Sequence, residues 1–267
     1  MRGVILAGGV GNRLRPLTQV TNKHLLPVWD RPMVFYAIEN LVKSGIKDIL
    51  LVTGGRHAGH FLTLLKNGHQ LGVNHLEYAY QEGEGGIADA LKLAQEFVEG
   101  QLCCVMLGDN IYQYTIRQAK QAFERQGSGA MVLSKSLDDK TLDPCRFGVA
   151  FHRQTTDGSH YLDKIIEKPK RSQVQGRMGR GGYCRVLTGT YFYDPSVFNI
   201  CNQLKPSKRG ELEISDVNRH YLEQQTLTTH NVPGWWSDAG TIESLFHASK
   251  QVKLLGANSD QEAVPTL

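Results

Sequence analysis

Gly3-Val4-Ile5-Leu6-Ala7-Gly8-Gly9-Val10-Gly11-Asn12-Arg13-Leu14-Arg15-Pro16-Leu17-Thr18 is the stretch on which the fold turns. Val4 to Ala7 is an unbroken apolar run, the pattern of a strand buried on both faces. It ends in Gly8-Gly9-Val10-Gly11. A glycine-rich loop leaving a buried strand lets backbone N–H groups approach phosphate oxygens. Arg13, and Lys23 shortly after, add positive charge suited to a polyphosphate. Two familiar phosphate loops do not fit. A Walker A loop needs Gly-Lys-Ser/Thr, which is absent. A dinucleotide fingerprint started at Gly9 would place its third glycine at Leu14, too large for close helix–strand packing. Taken alone, the loop is also compatible with an ordinary turn carrying surface cations.

Outward from this strand the chain alternates. Pro32 stands where a helix opens, Val34, Ala37, Ile38, Leu41 and Val42 follow at helical spacing, and Gly45 closes it. Ile49–Val52 reads as a strand, Phe61 to Leu65 as a helix, and Leu76–Tyr80 as a strand. Ile87, Ala90, Leu91, Ala94 and Phe97 mark a third helix, and Leu102–Leu107 another strand. This is the rhythm of stacked βαβ units. Strands are expected next at 130–133, 147–151, 161–166 and 188–193, with helices opening at Asp194-Pro195 and around Ile214, Val217, Tyr221 and Leu245, Ala248, Val252. The expectation is one α/β domain over residues 1–255, a doubly wound, mixed but mostly parallel sheet. Residues 1–130 form one half and 131–255 a second lobe, and 256–267 a loose tail without periodicity.

Composition narrows the class. The chain has 267 residues, 40% hydrophobic and 21% charged, which is globular. Its net charge of +4 is unevenly placed. Lys168, Lys170, Arg171, Arg177, Arg180 and Arg185 fall in one acid-free stretch, so the remainder is slightly acidic. A broad basic face for nucleic acid is therefore not expected. The five basic residues from Lys170 to Arg185 read as a solvated loop or a flap over anionic ligands. Five cysteines in a long chain do not suggest a disulfide framework. Cys103 and Cys104, adjacent on a strand, point to opposite faces and cannot share an ion. No apolar run reaches the roughly 20 residues needed to span a bilayer, and residues 1–7 are too short for a signal segment. The protein is expected in the cytoplasm.

Four further segments carry chemistry. Gly108-Asp109-Asn110 follows an apolar strand, and the carboxyl ends of strands are where open α/β sheets bind ligands. Asp109 there is either a Mg²⁺ ligand completed by phosphates or a turn residue. Asp238, in Gly234-Trp235-Trp236-Ser237-Asp238-Ala239-Gly240-Thr241, either joins Asp109 at the metal or starts a helix. Gln81-Glu82-Gly83-Glu84-Gly85-Gly86-Ile87-Ala88 opens a helix, and the Gln81 amide could read a nucleobase edge. Glu167-Lys168-Pro169 sets a carboxylate beside an ammonium, for a sugar hydroxyl and a phosphate respectively, or as a solvated pair. His57 and His60 sit three apart but lack a third donor, so a metal role is disfavoured. Trp235, Tyr191 and Tyr193 read as packing. No Gly-x-Ser-x-Gly elbow is present.

In series, LAGGVGNRLRPLT, NKHLLPVWDRPM, LGDNIY, RFGVAF, EKP, LTGTYFYD, RGELEISDVN and WWSDAGT resemble the sugar-1-phosphate nucleotidyltransferases, most closely the glucose-1-phosphate thymidylyltransferases. The resemblance implies a Rossmann-like nucleotide-binding core with a sugar-binding lobe. It implies the reaction of a nucleoside triphosphate, dTTP for preference, with a sugar 1-phosphate, giving a nucleotide-sugar and pyrophosphate. By motif, Arg13 and Lys23 would bind the triphosphate, and Asp109 and Asp238 would hold Mg²⁺. Leu6, Gly8, Gly9 and Gly11 would line the phosphates and ribose, and Gln81 and Gly86 the base. Lys168 would bind the sugar phosphate, Glu167 a sugar hydroxyl, and Gly148, Thr188 and Gly189 the sugar pocket. UTP, CTP or GTP, another hexose 1-phosphate, or a non-catalytic nucleotide-sugar-binding protein are the alternatives. A homo-oligomer without nucleic-acid or membrane partners is implied. The sequence departs from the long enzymes of the family at QEGEGGIA, where they read QPSPDGLA. It is also expected to lack their C-terminal helices, and its stretch from Pro169 to Leu187 is longer and more basic.

Overall fold

A computed structural model describes residues 1–136, 143–156, 158–178 and 182–260. β1 (Arg2–Ala7) leads through three short turns and the small pair β2 (Pro27–Val28) and β3 (Arg31–Pro32) into α1 (Met33–Lys43). Then come β4 (Asp48–Gly54), α2 (Ala58–Leu65), β5 (His75–Gln81), α3 (Ile87–Lys92), α4 (Gln95–Val98) and β6 (Cys103–Leu107). β7 (Asn110–Tyr112), α5 (Arg117–Gln126), β8 (Ala130–Ser136), β9 (Gly148–Gln154), β10 (His160–Glu167) and α6 (Arg171–Met178) follow. The chain continues with β11 (Tyr183–Tyr193), α7 (Val197–Gln203), α8 (Ile214–Glu223), β12 (Leu227–Asn231), β13 (Trp236–Asp238) and α9 (Ile242–Leu255).

β5, β4, β1 and β6 are parallel neighbours in one sheet, with β1 central. β11 then runs antiparallel to β6 and carries the antiparallel β9 and β10 on one edge and β8 on the other, with β12 parallel to β8. The sheet is therefore mixed: its first half is parallel, and the antiparallel strands belong to the second lobe. It is doubly wound. Ile5 and Ala7 of β1 face the core built with Val34, Ile38 and Leu41 of α1, while Val4 and Leu6 face the core built with α3, α7 and α8. Cys104 and Cys103 fall on these two opposite sides, and all five cysteines are free. No helix of the described residues is long and apolar enough to cross a membrane.

Three local differences from the sequence expectation have plain causes. α5 is strongly polar, yet only Ala119 and Phe123 need to be buried to hold it. Full burial of a phenylalanine contributes roughly 1.5–3 kcal/mol, so two contacts at i, i+4 suffice where the periodicity is too sparse to see. Within the basic stretch, Arg171–Met178 is helical and Val174 packs into the core, while Arg185 lies in β11 with its guanidinium 4.9 Å from the Tyr183 ring centre. A loop is thus not what 171–178 and Arg185 form, although Lys170 and Arg171 are exposed to solvent; Arg180 lies outside the described residues. Lastly, Gly256 to Asp260 are not loose. Asn258 is buried, accepts from Asn40 Nδ2 at 2.7 Å, and donates through Nδ2 to the Tyr36 carbonyl at 2.8 Å. Residues 261–267 lie outside the described residues.

Buried histidines give the fold a pH signature, and His152 is one of them. His152 of β9 stacks on Tyr183 with ring centres 4.5 Å apart. Burial, then the positive Arg185, push its pKa down from 6.5 to about 4. The folded form therefore holds the ring neutral. That stability is fully present above pH 6.5 and is lost progressively as the pH falls toward 4. Between pH 7 and 5 the loss is on the order of 1–2 kcal/mol, or a few degrees in Tm. Thermal unfolding at the two pH values checks this, and His152→Gln is expected to make the slope shallower by that share, the buried His24 and half-buried His230 keeping theirs.

Candidate active site

The carboxyl ends of β1, β5 and β6 open onto one cleft, where open α/β sheets bind ligands. Two adjoining cavities occupy it. The first is lined by Leu6, Gly8, Gly9, Gln81 and Gly86, and the second by Arg13, Gly148, Glu167, Lys168, Thr188, Gly189 and Asp238. Lys23 and Asp109 line both. Gly11 lies behind them, with φ +69°; a Cβ there would meet Lys23 Cβ and Thr18 Cγ2 at 2.9 Å. The structure thus brings every sequence-predicted site residue to one place. His57 and His60 have ring centres 5.2 Å apart and line neither cavity.

Lys23 is aimed by its neighbours. Asn22 caps the turn Lys23–Leu25 by accepting the His24 N–H at 2.9 Å, and its own amide donates to the Ala7 carbonyl at 3.2 Å. The lysine stem crosses Gly9 and Gly11, and its ammonium donates to Asp109 Oδ2 at 2.5 Å. A second donor, Asn110 Nδ2, reaches Asp109 Oδ1 at 3.1 Å, and Asn110 Oδ1 accepts from Trp236 Nε1 at 2.7 Å. Burial pushes the Asp109 carboxyl up most strongly, but the charge and hydrogen bond of Lys23, added to the other neighbouring groups, hold it below the ordinary carboxylate range. His24, fully enclosed beside them, is pushed by burial and then by Lys23 to about 3, so it is a neutral wall of the site.

Asp238 reaches the same place from the far strand. β13 pairs with β7 so that Asp238 lies opposite Asn110, and the Ala239 N–H donates to the Asp109 carbonyl at 2.8 Å. Burial, then the negative charge of Asp109, raise the Asp238 carboxyl; Arg146, 3.5 Å away, acts in the opposite direction. Two carboxylates close enough to repel across a cleft are relieved by a cation between them. Hard oxygen donors, two in number, suit Mg²⁺, which keeps waters and phosphate oxygens for the rest of its shell. No cluster of three or more His, Cys, Asp or Glu side chains fit to hold a metal occurs among the described residues. The pair therefore fits a cation completed by substrate rather than an all-protein cage.

The second cavity is built on β9, β10 and β11. Gly148 pairs with Glu167, and a Cβ at 148 would crowd Leu187 and Glu167 Oε2 at 3.1 and 3.2 Å. Burial raises the Glu167 carboxyl, and Lys168, 3.9 Å away, offsets part of this. Lys168 holds a left-handed backbone at φ +43°, which turns its side chain back into the cleft mouth at the strand end. Thr188 is buried, and its hydroxyl and carbonyl meet Tyr112 Oη at 2.8 and 3.2 Å. Gly189, at φ +75°, leaves no room for a Cβ beside Asn110 and Leu107.

Several cleft residues escaped sequence reasoning. Arg146 stacks on Phe147 and turns its buried Nη2 toward Asp238, 3.5 Å away; Arg209 is bound to Glu213 at 2.8 Å and faces the same cavity. Both lie within the family-like stretches RFGVAF and RGELEISDVN, which is the signal that could have found them. Asn110 and Trp236, which steady Asp109, lie inside the quoted segments but show their part only through pairing across β7 and β13.

Comparison with known proteins shows the family. The family model for nucleotidyl transferases matches residues 2–254. The glucose-1-phosphate thymidylyltransferase of Neisseria meningitidis is 38% identical over 95% of this chain and 83% of its own length. The low-salt glycan biosynthesis nucleotidyltransferase Agl11 of Haloferax volcanii is 33% identical, covering 99% of this chain and 71% of its own. A Bacillus anthracis structure described as a candidate glucose-1-phosphate thymidylyltransferase, in complex with sucrose, superposes with a TM-score of 0.82 at 43% identity, covering 95% of this chain and 96% of its own. A UDP-glucose pyrophosphorylase bound to UDP-glucose shares the fold at a TM-score of 0.77 and 20% identity, covering 94% and 98%. A doubly wound sheet, a glycine loop at its central strand and paired aspartates in the cleft thus coincide with a family match along almost the whole chain, which belongs to the nucleotidyl transferase family.

Proposed function

We propose that this protein is a glucose-1-phosphate thymidylyltransferase, joining dTTP and glucose 1-phosphate to give dTDP-glucose and pyrophosphate. The observation that carries the reading is that the two cavities meet at Lys23 and Asp109. One cavity is rimmed by the glycine loop and Gln81, and suits a nucleotide; the other, with Glu167 and Lys168, suits a sugar phosphate. Several curated thymidylyltransferases at 36–38% identity support the same substrates.

The reaction needs little from the protein beyond placement and charge. A sugar phosphate is mostly dianionic near pH 7, since its second pKa is about 6. Its oxygen can attack the α-phosphorus of the triphosphate without a general base. A new phosphorus–oxygen bond forms there while the bond to the β-phosphate bridging oxygen breaks, and that electron pair leaves on pyrophosphate. Lys168 holds the attacking phosphate and Glu167 a sugar hydroxyl. Arg13 and Lys23 bind the triphosphate and the growing charge on the leaving group. The backbone of Gly8, Gly9 and Gly11 lies against phosphates and ribose, and Gln81 and Gly86 against the base. Thr188, Gly189 and Gly148 shape the sugar pocket. Asp109 and Asp238 would hold Mg²⁺, which supplies charge neutralisation to phosphate oxygens when bound.

A single nucleotidyltransferase domain working in the cytoplasm as a homo-oligomer completes the reading, with no nucleic-acid or membrane partner. A binding-only protein is disfavoured because Arg13, Lys23, Asp109 and Asp238 all face the same cleft. The reverse reaction separates these. Incubated with dTDP-glucose, pyrophosphate and Mg²⁺, the protein is expected to form dTTP and glucose 1-phosphate; retention of dTDP-glucose without conversion would overturn the enzyme reading.

A further inference from the structure

The loop from Gln81 to Asp89 contains an arrangement that the motifs do not explain. Gln81 is more than nine-tenths buried at the end of β5, and it lines the nucleotide-side cavity. Its amide nitrogen has two N–H groups, and both are taken. One donates to the Gly86 carbonyl at 3.1 Å, the other to Asp89 Oδ2 at 3.1 Å. Both partners can only accept. Asp89 stays ionised: burial pushes its carboxyl up, but the bond from Gln81 and the Lys92 ammonium at 3.0 Å hold it below its ordinary value.

A side-chain amide can ordinarily turn over and exchange its oxygen for its nitrogen at little cost. Here it cannot, because turning it would set the amide oxygen against a carboxylate and a carbonyl. The amide oxygen, Gln81 Oε1, is left facing the cleft beside Gly8, where an added Cβ would stand 3.1 Å from it. Gly85 makes room for the device. A Cβ at residue 85 would lie 2.4 Å from Asp89 Oδ2, yet Gly85 does not have a left-handed backbone, so its need for glycine is the carboxylate itself.

We propose that Asp89 is a positioning residue that locks the Gln81 amide with its oxygen toward the base, so that the site selects an imide nucleobase. Thymine and uracil offer an N3–H that Gln81 Oε1 can accept. Cytosine, of the same ring size, presents a lone pair at N3 and meets the oxygen acceptor to acceptor. A buried acceptor facing an acceptor loses its bond and gains repulsion. Gly85 and Asp89 then form one unit: the small residue admits the carboxylate, and the carboxylate orients the reader. The inference rests on the nucleotide-binding reading of this cavity, but it does not need turnover.

Binding of dTTP and of dCTP is measured by calorimetry with Mg²⁺ and no sugar phosphate, on the unaltered protein, Asp89→Ala and Gly85→Ala. The unaltered protein is expected to favour dTTP clearly. Asp89→Ala removes the acceptor that fixes the amide, and the dTTP-over-dCTP preference is expected to fall by about tenfold. Gly85→Ala, which displaces the same carboxylate, is expected to act likewise and to add little in combination with Asp89→Ala. In turnover with glucose 1-phosphate, Asp89→Ala should raise the KM for dTTP while kcat at saturation stays within about twofold. Equal affinity of the unaltered protein for dTTP and dCTP would overturn the inference. So would an unchanged preference in both variants, or an equal loss for both nucleotides, the mark of a merely structural residue. A protein that binds dTTP selectively yet forms no nucleotide-sugar would contradict the proposed reaction and leave this inference standing.

Discussion

Asp109→Asn is expected to lower kcat by at least about a thousandfold while the protein keeps its fold. The side chain has the same shape, so the Asn110 and Trp236 contacts that seat it survive in outline. What disappears is the charge. Asp109 lines both cavities, and it is held ionised by Lys23 at 2.5 Å. Without it, a Mg²⁺ ion would be left with only Asp238, whose own carboxyl is already raised by burial and by its neighbour. Lys23 also loses its partner, but its partly exposed ammonium can turn toward the phosphates or solvent. Circular dichroism and thermal unfolding should therefore stay close to those of the unaltered protein, while pyrophosphate release is lost. Near-normal turnover in this variant would remove Asp109 from the metal site.

Lys168→Ala is expected to cost about a hundredfold in kcat/KM for the sugar phosphate, with the KM for dTTP little changed. The position separates charge from conformation well. Lys168 carries a left-handed backbone, φ +43°, and alanine pays a similar conformational cost there. The side chain is half exposed, with its ammonium 3.9 Å from Glu167, so removing it opens no core cavity. On the proposed reading, the loss is then that of a contact with the attacking phosphate. Initial rates with either substrate varied against a saturating partner check this. Equal losses on both substrates would indicate a distorted cleft instead of a missing phosphate ligand.

The parts of this molecule that could be read from its sequence are those where one residue type answers one physical demand. β1 is legible because a strand covered on both faces must be apolar throughout, and the loop after it because a backbone approaching phosphate must shed its side chains. Asp109 is legible because it stands where a parallel sheet opens. The second lobe is harder. β7 and β13 are three residues each and exist through their pairing, so neither shows as a periodic run, yet that pairing carries Asp238 to Asp109. α5 is hidden because two buried residues anchor a helix otherwise facing water. The basic stretch misleads in the other direction: its charge suggests a loop, but Val174 finds a core and Arg185 an aromatic face. Arg146 and Arg209 have no local pattern of their own, since each is a lone arginine on a connecting segment; the family-like stretches that contain them point to them, and the folded cleft shows what they face.

Pyrophosphate release, measured with Mg²⁺ for each of dTTP, UTP, CTP and GTP against glucose 1-phosphate and other hexose 1-phosphates, tests the central claim most directly. The account predicts release only when a triphosphate and a sugar phosphate are both present, fastest for dTTP with glucose 1-phosphate. Its absence with every pair, or a clear preference for CTP or GTP, would contradict it.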